Sequence, residues 1–153
     1  MTSIQFFVLA LILYLVGALA SLFVSGRTSR GVAAFFGLIG SVSALLAVIL
    51  SLTADAAPTL TLFAIQPFGE FALQLDLLSA LMVGLICLVG IATSLYSFTD
   101  APANVSVSFF TDLFMASMLV VVTVTNAFYF LVFWEVMTLA SYFLVVWEFD
   151  KKE

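Results

Sequence analysis

The sequence predicts an all-α integral membrane protein of about five transmembrane helices, with a short β-hairpin between the second and the third. Three observations carry that prediction. Of 153 residues, 65% are hydrophobic and only 8% charged, against roughly a quarter charged in an ordinary soluble domain; mean hydropathy is +1.31. The apolar residues gather into runs of about 20, the number of helical residues that crosses a hydrocarbon core of about 30 Å. The cations fall in only two places, Arg27 with Arg30 and Lys151 with Lys152.

The same composition excludes several functions. Four Lys and Arg and nine Asp and Glu cannot cover a globule of this size, so water does not surround most of it and a soluble enzyme is excluded. A net charge of −5 with four scattered cations offers no phosphate-neutralising stripe, which excludes nucleic-acid binding. There is no His, so His-based catalysis and His-ligated metals are absent. The residues imply no catalytic group, no metal site and no cofactor in this chain. Cys87, a single cysteine in an apolar run, forms no internal disulfide and reads as a small buried hydrophobe.

The elements follow in order as one membrane domain, 1–153. Residues 4–24 form the first span. Ala18 and Ala20 have a spacing that a signal peptidase accepts, but Met1-Thr-Ser-Ile-Gln5 carries no cation and the run exceeds the usual length of a signal sequence. Residues 31–52 form the second span, where Gly37, Gly40, Ser41 and Ser43 suit close helix packing. The loop 53–76 holds Asp55 and Glu70 and no cation. Its stretches Thr59-Leu-Thr-Leu-Phe-Ala-Ile65 and Phe71-Ala-Leu-Gln-Leu75 alternate apolar and polar residues around the turn residues Gln66-Pro-Phe-Gly-Glu70, which predicts a hairpin. An isolated hairpin is marginal in water, so this one is expected to dock on helices or on a neighbouring protein.

The third span covers 77–98, with Asp76 as its N-cap and Tyr96 at interface depth. Residues 99–107, with Asp100, Pro102 and Asn104, read as an ordinary connector. From residue 108 to 149 the chain is almost continuously apolar; as one helix it would reach about 63 Å, twice the hydrocarbon thickness. It therefore divides, with Thr125 and Asn126 as the break, into helices at 108–124 and 127–147. Five crossings put both basic clusters on one side. The positive-inside rule makes that side cytoplasmic, with the N-terminus and the hairpin loop outside and the C-terminus inside. Glu148, Asp150, Lys151, Lys152 and Glu153 read as a solvated end anchored by Trp147, and the 17 Phe residues as packing or lipid-facing bulk.

Chemistry must come from polar groups at membrane depth. Glu135 lies eight residues after Ala127, about 12 Å into the fifth helix and close to the bilayer midplane. Thr138 and Tyr142, three and seven residues on, share its face. Carboxylate, hydroxyl and phenol together can hold water or pass a proton. A charge at this depth usually faces a bundle interior or a water-filled path, and no Lys or Arg of the sequence matches its depth. Either a partner cation lies elsewhere or Glu135 is a neutral, hydrogen-bonded structural acid. Asp112, about one turn into the fourth helix, is a secondary candidate for the proton path; there it would reach interfacial water or favour the helix N-terminus, and a structural role is the default.

These residues resemble a known family. Asp112-Leu-Phe-Met-Ala-Ser-Met118, then Asn126-Ala-Phe128, then Phe133-Trp-Glu-Val-Met-Thr-Leu-Ala-Ser-Tyr-Phe-Leu-Val-Val146 look like helices four and five of the antiporter-like membrane subunits. That family is shared by respiratory complex I, multi-subunit sodium/proton antiporters and energy-converting hydrogenases. Ser141-Tyr-Phe-Leu-Val-Val-Trp-Glu148 and Leu75-Asp-Leu-Leu-Ser79 are most similar to its hydrogenase-4 and formate hydrogenlyase branch. The specific part is Trp134-Glu135 followed by Ser141-Tyr142.

The resemblance implies that Glu135 is the fifth-helix glutamate that pairs with a lysine on a later broken helix. It also implies that the hairpin lies on the outer face against neighbouring subunits, in a bacterial or archaeal plasma membrane. Asp112 stands where the family pattern has Asn. Family members have about fourteen helices, so this sequence resembles the N-terminal part of such a subunit. The implied role is a proton-translocating subunit of a hydrogenase or NADH:quinone type oxidoreductase complex, without catalysis by this chain alone. Its partners would be the remaining helices, other membrane subunits and lipid. Two other classes stay open: a non-conducting structural membrane module, and a small proton-coupled transporter that uses Glu135.

Overall fold

A computed structural model describes residues 2–53, 57–99 and 104–149, with the side chains of 148 and 149 excepted. Asp55, Asp100, Pro102 and the tail with Asp150, Lys151, Lys152 and Glu153 lie outside the described residues, as does the side chain of Glu148. Five α-helices and one two-stranded sheet make up the rest: α1 Ser3–Leu22, α2 Arg27–Leu52, β1 Thr59–Ile65, β2 Gly69–Gln74, α3 Leu77–Thr99, α4 Val105–Val121 and α5 Ala127–Phe149. Among the described residues, four helices are long and apolar enough to cross a membrane, α1, α2, α3 and α5. At 17 residues α4 is shorter, about 26 Å by its rise.

The helix bounds differ from the sequence expectation in ways the local chemistry explains. The first helix stops at Leu22 rather than at residue 24, because Gly26 takes a left-handed φ of 63° as the chain reverses. The second begins at Arg27 instead of residue 31, so Arg27 and Arg30 stand in the first turn of α2 rather than in a connector. The fourth starts at Val105, three residues earlier than expected, where Asn104 Oδ1 accepts the Ser106 N–H at 2.8 Å. It also ends three residues earlier, at Val121 rather than 124.

That early end has a tertiary cause. Instead of continuing the helix, the segment after Val121 pairs with the hairpin: Gln74 N–H donates to Thr123 O at 2.8 Å and Thr125 N–H to Ala72 O at 3.0 Å, with Leu73 bridged to Val124. The antiparallel register runs from Thr59 opposite Gln74 to Ile65 opposite Gly69, with an irregularity between Thr61 and Phe63. Alternation on β2 is pronounced. Phe71, Leu73 and Leu75 are buried, as the period of two requires, and join the core formed by Phe7, Tyr14, Val83 and Leu119 among others. Phe71 lies 5.0 Å from the Tyr129 ring and 5.7 Å from that of Phe133, so aromatic contacts tie the hairpin to α5.

α1 packs chiefly on α2, α2 on α3, and α4 on α5 and α1. Hydroxyls cross the first seam in antiparallel order, Ser29 Oγ to Ser21 O at 2.8 Å and Ser43 Oγ to Phe6 O at 2.9 Å. The bundle thus has two distinct ends. One carries the hairpin and the α4–α5 connector, the other the α1–α2 turn with Arg30.

Candidate functional site

Two polar features occur at membrane depth, and they face opposite ways. The first is the stripe on α5. Glu135, Thr138 and Tyr142 are all exposed, whereas Tyr129 and Ala140 on the other side of the helix are buried against the bundle. Helical spacing brings the three polar groups onto one face, and Leu131, Trp134, Glu135 and Thr138 border a shallow groove there. The Thr138 hydroxyl donates to Trp134 O at 2.8 Å, and Ser141 Oγ to Thr138 O at 2.8 Å, so these hydroxyls are held by their own helix. Among the described residues Glu135 has no hydrogen bond or ion pair. The stripe does not face the interior of the bundle formed by the described helices.

The second feature is Asp112, and the structure places it differently from the sequence expectation. Because α4 begins at Val105, Asp112 stands about 10 Å into the helix rather than one turn from its end, and it is 4% exposed. It does not reach interfacial water at a helix N-terminus. Its Oδ2 has no hydrogen-bond partner. Room for the carboxylate comes from glycine on the facing helices: a Cβ at position 17 would stand 2.6 Å from Asp112 Oδ2, and one at position 37 would stand 3.2 Å from Oδ1 and 3.0 Å from Ser94 Oγ.

Next to it, the Tyr14 hydroxyl and Ser41 Oγ share a hydrogen bond of 2.5 Å, and Ser41 Oγ donates to Gly37 O at 2.8 Å. Tyr14 escapes a reading of the sequence because it stands alone in an apolar run, and Ser94 because nothing sets it apart from the neighbouring Thr93, Ser97 and Thr99. The one available signal is the pattern of Gly37, Gly40 and Ser41 on α2, which marks a seam where bulky or polar groups from neighbours have space.

Asp76, at the start of α3, is exposed, and its Oδ1 accepts the Ser79 N–H at 2.8 Å. Hydrogen bonding to Ser79, side chain and backbone, holds its carboxyl below the ordinary value of 3.8. Stabilisation of the charged form by a cap explains the direction.

No family model matches the sequence. The chain is 35% identical over 147 residues to hydrogenase-4 component B of Escherichia coli (strain K12), a match that covers 92% of this chain and 22% of the relative. The aligned part is the N-terminal part of that protein. The chain therefore spans under a quarter of the length of the relative it matches. On the strength of that match the chain is similar, over nearly all of its own length, to the N-terminal part of a hydrogenase component.

Proposed function

We propose that the chain is a proton-translocating membrane subunit, or the N-terminal piece of one, in a hydrogenase-type redox complex, and that Glu135 modulates its proton path. One observation carries the reading. A carboxylate eight residues into an apolar helix, with Thr138 and Tyr142 on its face, stands exposed on the side of α5 that the other described helices leave uncovered. A charge facing lipid at this depth costs about 2.5–3.5 kcal/mol by insertion scales, so this face meets further protein or a water-filled path. A cation supplied by later helices of the subunit would sit against Glu135, and movement of that cation would change how tightly each holds its proton. Electron transfer elsewhere in the complex would set that movement going.

In this reading all five helices span the bilayer, α4 with the help of the residues that follow it. Arg27, Arg30, Lys151 and Lys152 lie on the cytoplasmic side, and the N-terminus and the hairpin lie outside. The hairpin, already docked on the α4–α5 connector, offers its exposed β1 edge to other membrane subunits. The decisive experiment is Glu135→Gln in the intact membrane complex. Coupled proton movement should be lost while electron transfer is partly retained; full pumping by the variant would remove Glu135 from the mechanism.

A further inference from the structure

At the end of the bundle that carries the α1–α2 turn, a polar crevice enters between α2, α3 and α4. Arg30, Ser97, Ser94, Ser108 and Thr111 line it, and it reaches Asp112 and Tyr14. The space within it is about 20 Å³, room for one water molecule. Arg30 also makes contacts of its own.

Among the described residues Asp112 is the one carboxyl on this crevice. Its Oδ2 is buried without a donor, and an anionic oxygen in that state bears the full cost of leaving water. A proton on the carboxyl removes that cost and turns the group into a donor for a water in the crevice. Among the described residues the titratable groups around it are few. Tyr14 faces it from α1 and Arg30 from α2 along the crevice. On α3 the titratable side chain near the Tyr14–Ser41 pair is the buried Cys87. Glu135 on α5 points the other way, from the exposed face.

We infer that Asp112 is a proton-binding site, loaded through the Ser97–Ser94–Ser108 crevice from the aqueous phase at the Arg30 end and distinct from the Glu135 stripe. The Gly17 and Gly37 slots seat the carboxyl, and Ser94 lies beside it. The inference does not rest on the role proposed for Glu135, since proton uptake by Asp112 can be read without any turnover.

The test is infrared spectroscopy of the full chain in membranes, titrated with protons alone in H2O and in D2O. A carboxylic-acid C=O band that titrates, shifts in D2O, disappears in Asp112→Asn and persists in Glu135→Gln is the expected result. Survival in Asp112→Asn of that same band, the one that persists in Glu135→Gln, overturns the inference, and so does an Asp112 band that fails to shift in D2O, because a sealed acid is only structural. Access is read separately with Ser97→Cys in a Cys87→Ala background. Labelling by a membrane-impermeant thiol reagent from the Arg30 side only, with loss of the D2O shift on labelling, is expected; no reaction from either side overturns the crevice. Asp112→Asn, nearly isosteric with the acid, also provides the folding control. It should lose the band while the protein keeps its thermal stability.

Discussion

Asn126 Nδ2 donates to the carbonyl oxygen of Phe68 at 3.1 Å, joining the residue before α5 to the tip of the hairpin 58 positions earlier in the chain. The same side chain caps α5, its Oδ1 accepting the Phe128 N–H at 2.9 Å. Gly69 makes the approach possible: its φ is 88°, and a Cβ there would stand 2.7 Å from Asn126 Nδ2.

Replacing Asn126 with Ala should therefore loosen two elements at once. Loss of a cap and of a hydrogen bond is expected to cost about 1–3 kcal/mol together. Hydrogen exchange should quicken at the amides of β2 and of the first turn of α5 while α2 and α3 are unchanged. Gly69→Ala should destabilise the same region through both backbone strain and the clash. In a double-mutant cycle the two changes should be less than additive, because Asn126→Ala removes the clash and leaves only the strain.

Two glycines beside Tyr14 separate its ring from its hydroxyl. A Cβ at Gly40 would stand 3.1 Å from ring carbons of Tyr14, whereas one at Gly90 would meet the Tyr14 hydroxyl at 2.7 Å and, closer still, Ser41 Oγ. Gly40→Ala and Gly90→Ala should each lower stability by about 1–3 kcal/mol through overpacking. Tyr14→Phe is expected to rescue part of the Gly90→Ala defect and none of the Gly40→Ala defect, as measured by thermal unfolding in detergent.

For Asp76 the direction of the pH effect follows from its cap. Its folded-state carboxyl titrates below the ordinary 3.8, so the stabilisation it lends to α3 is fully present above that value. It is lost as pH falls through the lower folded value. Protection of the Ser79 amide against exchange should fall in that acid window by an amount equivalent to at most about 1 kcal/mol, small because the group is exposed. Asp76→Ala should abolish the dependence.

Glu135 should reveal its surroundings by the cost of insertion. In a translocon assay on the α5 segment, Glu135→Leu is expected to favour insertion by roughly 2–4 kcal/mol. If the proposed function holds, the same substitution in the assembled complex should bring no matching gain in thermal stability, because a carboxylate covered by further protein or water is not against lipid. An equal gain in both settings would place Glu135 against lipid in the complex too.

The sequence by itself determined that this is an apolar helical bundle, where its long runs lie, and that one connection is a hairpin. Those properties follow from the number of consecutive apolar residues and from a period-two alternation, which are local. It also marked Glu135, because an isolated carboxylate in an apolar run needs no neighbour to be conspicuous. Tertiary structure decided the rest. The break after α4 comes at residue 122 because β2 supplies hydrogen-bond partners from more than 45 positions away, a competition that no local pattern records. Asp112 changed from a helix-end acid to a buried one because Gly17, Gly37 and Ser94, from three different helices, converge on it. Burial is a property of what surrounds a side chain, and for Asp112 all of that comes from other parts of the chain.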